Sequence, residues 1–231
     1  MFHTDVIREL KRVSDSKKAR LLQGFFKTAP GQYGHGDIFW GITVPQNRQV
    51  ANAYQDLSLK EIVYLMQHEV HEVRLCGVII LVNRYSSQPE EVFQAYIKHK
   101  KNINNWDLVD LSADKVVGAY LKDKPKDLLY KLAASNALWD RRIAIVSTFY
   151  FIKSGNSKET FKIADMLMKD KEDLIYKAVG WMLREVGKRC STKELEVYLK
   201  FRYKIMPRTM LRYAIERFPE NIRRKYLMGE V

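Results

Sequence analysis

A spacing of about 35 residues runs through the second half of this 231-residue chain and constrains it more than any single motif. Val73-Arg74-Leu75-Cys76, Arg141-Arg142-Ile143-Ala144, Tyr176-Lys177-Ala178-Val179 and Leu211-Arg212-Tyr213-Ala214 each set a cation before apolar or small residues in an apolar run. The cations fall at 74, 142, 177 and 212, so the last two steps are 35 residues and the first is close to two periods. A supersecondary unit repeated at this length cannot bury its apolar face alone, and stacking copies solves that. The spacing therefore predicts stacked helix pairs: an all-α fold, an α-solenoid of about six HEAT-like repeats, curved, with a basic concave face. Arg74, Arg142, Lys177 and Arg212 would line that face. The expected organisation is a single domain over 1–231, with N-terminal helices and a Gly-rich loop over 1–56 and helix-pair repeats over 57–231.

Local signals agree with helices. Trp139, Ile143, Val146 and Tyr150 recur at helical spacing, as do Leu174, Ala178, Met182 and Val186. The pairs expected from this are 128–135 with 139–151, and 159–169 with 173–187. Ser58-Leu59-Lys60-Glu61 and Ser191-Thr192-Lys193-Glu194 carry the spacing of a capping box. Pro89, Pro125 and Pro207 stand before periodic runs. Residues 29–45 break the pattern with Gly31, Gly34, Gly36 and Gly41, and read as a structural loop without a phosphate-binding motif.

Charge narrows the partners. Forty Lys+Arg against 27 Asp+Glu give +13, and Trp181 to Val231 alone holds 13 basic and 6 acidic residues. Such a surplus favours polyanions, nucleic acid before an anionic membrane surface. The longest apolar run, Cys76 to Val82, is far short of a membrane span, and the N-terminus has no secretory pattern. A cytoplasmic location is expected. Cys76 and Cys190 cannot build a disulfide framework or a four-cysteine zinc site. His68-Glu69-Val70-His71-Glu72 is not the His-Glu-x-x-His of metalloproteases and reads as helix surface or packing. No metal and no cofactor are expected.

A cation is due near 108, yet the sequence there is Trp106-Asp107-Leu108-Val109-Asp110. A carboxylate on a basic wall repels phosphate and costs affinity, so chemistry is the natural reason for it. Trp106 lies four residues before Asp110, Trp181 four after Lys177 (with Arg184 extending that stripe), and Trp139 three before Arg142.

These residues carry a resemblance. Phe39-Trp40-Gly41-Ile42-Thr43-Val44-Pro45, Trp106-Asp107-Leu108-Val109-Asp110, Trp139-Asp140-Arg141-Arg142 and Lys177-Ala178-Val179-Gly180-Trp181-Met182-Leu183-Arg184-Glu185 are similar to motifs of the AlkD-like DNA alkylation repair enzymes. Those are monofunctional DNA glycosylases built from HEAT-like repeats. The resemblance runs over most of the chain, and Met206 to Ala214 looks typical of a large subgroup. It implies excision of cationic N3- or N7-alkylated purines from double-stranded DNA by an enzyme that grips the backbone and leaves the damaged base stacked, and asymmetric gripping of DNA suits a monomer. Trp106, Asp110 and Trp181 would be catalytic. Arg142 would bind the backbone near the lesion, with Lys177, Arg212, Arg74 and Arg184 as further DNA contacts. Two other readings fit the residues alone: a DNA-binding solenoid without catalysis, and a protein-binding solenoid.

Overall fold

The computed structural model describes residues 1–231 and is helical throughout, apart from one isolated parallel bridge between Ile38 and Val70. Its contacts divide it into two compact units, Met1–Ser112 and Ala113–Val231.

The first unit holds α1 (His3–Arg12), α2 (Ser16–Phe25), α3 (Val44–Ala53), α4 (Leu59–Met66), α5 (His71–Arg84), α6 (Pro89–His99) and α7 (Trp106–Ala113), whose last residue lies past the division. α5 is the centre. Every residue from His71 to Leu81 is buried, as expected of a helix with apolar residues all round. α3, α4 and α6 pack on it. The Ser58 hydroxyl accepts from the Glu61 amide and starts α4, and Pro89 opens α6. The Gly-rich stretch is a loop, but it ends two residues early, because Thr43 caps α3 and Pro45 sits in its first turn. Gly41 in that loop has φ +80°, and a Cβ there would lie 2.0 Å from the Asp15 carbonyl oxygen. Only glycine fits this position.

The second unit begins with a π-helical segment, Asp114–Gly118, followed by α8 (Asp127–Ala133), α9 (Leu138–Ser147), α10 (Phe149–Lys153), α11 (Lys158–Met166), α12 (Asp173–Arg189), α13 (Thr192–Lys200), α14 (Arg208–Ala214) and α15 (Glu220–Met228). α12 is its centre, packed by α9, α10, α11, α13 and α14. The single helix expected over 139–151 is two. Ser147 Oγ donates to the Ile143 carbonyl and Thr148 Oγ1 to that of Ile145, each at 2.6 Å. Hydroxyls bonded back to carbonyls in this way bend and interrupt a helix.

Gly180 sets how closely α12 and α14 approach. A Cβ there would lie 2.5 Å from both the Met210 carbonyl oxygen and the Tyr213 Cβ. Gly180→Ala should therefore cost about 1–3 kcal/mol through forced backbone displacement. Gly24→Ala, in α2 with nothing near its added methyl, should instead gain up to about 1 kcal/mol. Denaturant unfolding of the two variants checks the contrast.

Candidate active site

The register of the expected basic positions comes from three side chains that turn back toward the loop before their own helix. Arg74 Nη1 donates to the carbonyls of His68 and Glu69, six and five residues earlier. Arg141 Nη1 donates to those of Ser135 and Asn136, again six and five earlier. The Tyr176 hydroxyl donates to the Asp170 carbonyl, six earlier. Each is the fourth residue of its helix: α5, α9 and α12.

Arg74 is thus the counterpart of Arg141 and Tyr176, and not of Arg142 and Lys177. This corrects its expected place on a DNA-facing wall. Arg74 is 5% exposed, and its Nη2 lies 2.5 Å from Asp37 Oδ1. The alignment slipped by one residue because two arginines stand side by side at 141 and 142. With the register corrected, the fifth residues of α5, α7, α9, α12 and α14 are Leu75, Asp110, Arg142, Lys177 and Arg212. Asp110 is the one acid in this series.

In the first unit, Trp106 and Asp110 are both half-buried, one turn apart on α7. The indole stacks on Phe26 at 5.4 Å with planes 15° apart, and meets Phe25 edge-on at 6.0 Å. Phe26 in turn stacks on Phe39 at 4.9 Å, and Phe39 on His71 at 4.6 Å. Asn105 Oδ1 accepts from the Trp106 amide and caps the helix, while Asn105 Nδ2 donates to Asp37. His71 is 1% exposed, with Nδ1 3.2 Å from Asp37 Oδ2 and Nε2 2.8 Å from Asp107 Oδ2. Burial pulls the His71 pKa down, but the bonds to Asp107 and Asp37 outweigh it and raise it to about 9. Burial also works against the Asp37 carboxylate, yet His71, Arg74 and Asn105 hold its pKa below the usual range.

Glu72 has a different duty. Its carboxylate accepts from the amides of Trp40, Gly41 and Ile42, fastening the Gly-rich loop to α5. In the His-Glu-Val-His-Glu segment Val70, His71 and Glu72 are buried, His68 is half-buried and Glu69 is exposed. Cys76 is buried in α5, and burial pushes its thiol up to about 12, far from a reactive thiolate.

In the second unit, Arg142 is 5% exposed and its Nη1 donates to the Leu174 carbonyl at 2.6 Å, joining α9 to the first turn of α12. Lys177 is half-buried and lies 2.7 Å from Asp173. Arg212 is exposed on α14. Arg184 reaches Glu216 at 2.5 Å and Glu185 at 3.3 Å. Trp181 is half-buried, with Phe149 at 5.9 Å. The sequence reading gave no site role to Asp37, His71, Asn105, Asp107 or Phe26. Asp107 stands inside the Trp-Asp-x-Val-Asp motif, and no spacing rule links the rest.

Arg74→Met should destabilise the fold by about 3–5 kcal/mol, because the buried Asp37 loses one of its three partners and two loop carbonyls lose their donor. Arg212→Ala should change stability by less than about 0.5 kcal/mol. Thermal and denaturant unfolding read both.

A predicted DNA alkylation repair enzyme from Enterococcus faecalis has a similar structure, with a TM-score of 0.69 and 20% identity, over 90% of this chain and 97% of that one. No curated protein sequence matches the chain. The family model for DNA alkylation repair enzymes matches residues 6–218, nearly the whole chain, and the protein belongs to that family.

Proposed function

We propose that the chain is a DNA glycosylase that hydrolyses the N-glycosidic bond of cationic N3- and N7-alkylated purines in duplex DNA, acting as a monomer on a HEAT-like solenoid. The observation that carries this reading is the acid at position 110. The equivalent places in α9, α12 and α14 hold Arg142, Lys177 and Arg212, and a half-buried indole stands one turn away at Trp106. Affinity for a polyanion gives no reason for that exchange of sign.

The chemistry follows from where charge moves. Alkylation at N3 or N7 makes the purine a cation. When the glycosidic bond breaks, its electron pair goes to the base, which leaves neutral and needs no general acid. Positive charge grows on the deoxyribose. An ionised Asp110 stabilises that oxocarbenium and orients the water whose oxygen bonds to C1′ and whose proton is released. The indole face of Trp106 adds cation–π attraction, a role the family resemblance also gives Trp181. The base can stay in the stack because the attacked atom belongs to the sugar. Lys177, Arg184 and Arg212 provide the basic contacts to phosphate; Arg142, to which the family resemblance gives the DNA backbone near the lesion, is 5% exposed and spends one N–H on the Leu174 carbonyl.

The native chain should release 7-methylguanine from methylated duplex. Asp110→Asn should lower the single-turnover rate by about 100-fold or more while binding duplex as well or better. Release that is equal for native and variant removes Asp110 from the mechanism. Tight binding with no release by either establishes a DNA-binding protein without catalysis. Arg212→Ala should reduce the slope of log affinity against log salt by about one, measured by titration at several salt concentrations. Hypoxanthine, a neutral base, should leave far more slowly than 7-methylguanine, because nothing protonates it.

A further inference from the structure

We propose that His71 is a positioning residue: clamped between Asp37 and Asp107, it fixes the first turn of α7 and thereby the placement of Trp106 and Asp110. The proposal rests on the assignment of those two residues to catalysis.

The geometry asks for an imidazolium. Both ring nitrogens face carboxylate oxygens, Nδ1 toward Asp37 and Nε2 toward Asp107. A neutral imidazole has one N–H and would turn a lone pair on one of the two acids. Only the protonated ring donates to both.

The two acids depend on His71 unequally. Asp37 is also answered by Arg74 and Asn105. Asp107 accepts from His71 through Oδ2, while its Oδ1 is enclosed and unpaired. Removing the proton from His71 would leave Asp107 as an uncompensated carboxylate at the rim of an apolar cavity lined by Leu22, Phe26, Phe39 and Leu75. Lys18 and Glu72 also line this cavity, and Glu72 is saturated by loop amides. His68, in the loop between α4 and α5, lies near Arg74 and takes its own bond from the Val70 amide. The charged groups around His71 are therefore Asp37, Asp107 and Arg74, with His68, Glu72 and Lys18 further out.

Asp107 is the second residue of α7, and Asn105 immediately precedes the helix. The helix is thus tied to the buried cluster twice before it presents Asp110. A third link runs through rings, since Phe26 touches both His71 at 5.0 Å and Trp106 at 5.4 Å. Loss of the His71 charge would move the indole, and a reacting group misplaced by about 1 Å can lose a large part of its rate.

The direction with pH is fixed. The His71 pKa is raised to about 9, so the clamp holds fully below the ordinary histidine pKa of about 6.5 and is lost as pH rises through about 9.

The test uses the full chain labelled with 5-fluorotryptophan, with the Trp106 resonance assigned by Trp106→Phe. In the native protein this resonance should titrate with a midpoint near pH 9, and the single-turnover release of 7-methylguanine at saturating enzyme should fall over the same range. His71→Gln should flatten the titration and slow release about tenfold at pH 7.5, with duplex affinity changed less than about twofold. Should that variant fail to fold by circular dichroism, Asp107→Asn serves in its place, and its titration midpoint should fall below the native one. A Trp106 resonance that does not titrate, or titrates identically in native and variants, overturns the proposal. A titrating resonance in a native chain that releases no base at any pH supports the clamp and sinks the glycosylase reading. A flat resonance in an active enzyme does the reverse.

Discussion

Each long helix at the centre of this protein begins with a side chain that turns back to the loop it came from. Arg74 and Arg141 each satisfy two loop carbonyls that would otherwise lack a partner, and Tyr176 satisfies one. A hydrogen bond from a charged donor contributes about 1.5–3 kcal/mol, more than a neutral one. The more important effect is on phase. Fixing the fourth residue inward fixes the rotation of the helix, and so decides which way every later residue points. The charges at 142 and 177 take their register from the bonds of Arg141 and Tyr176 beside them.

The same logic explains why so much charge is tolerated inside the first unit. Arg74, Asp37, His71, Asp107 and Asn105 form a connected set in which the polar side-chain atoms have partners, except Arg74 Nε and Asp107 Oδ1. A half-satisfied network would cost more than an apolar core. Here the arrangement also joins parts distant in sequence. Asp37 in the Gly-rich loop, Arg74 in α5 and Asn105 before α7 are brought to one point, and the ring pile of Phe39, His71, Phe26 and Trp106 runs beside it.

How far these features could be read from the chain alone depends on their range. Helices, the serine caps at 58 and 191 and the proline at 89 are local, and the sequence patterns located them. The break at Thr148 is local too, but it turns on hydroxyls choosing a carbonyl over solvent, which apolar periodicity does not report. The repeat register failed by one residue at Arg74, because a cation that caps a loop and a cation that faces outward look alike as letters. Trp106 and Asp110 were legible from their spacing and motif. The partners that hold them were not, since His71 and Asp37 meet Asp107 only through the folded loop. The role of Glu72 was hidden for the same reason: its three donors are backbone amides, which carry no sequence signal.

In α12 the inward bond of Tyr176 and the partly exposed charge of Lys177 fall on adjacent residues, the fourth and the fifth, separated by about 100° of helical rotation. Architecture is therefore insulated from chemistry by a single peptide unit. In α12 the fifth position can exchange acid for base, or lose its charge altogether, while the bond from Tyr176 stays as it is; in α9 it cannot, since Arg142 itself bonds the Leu174 carbonyl. A scaffold of this design can gain, shift or abandon a reactive group without first becoming unstable, and two copies of it with the same shape need not share a trade.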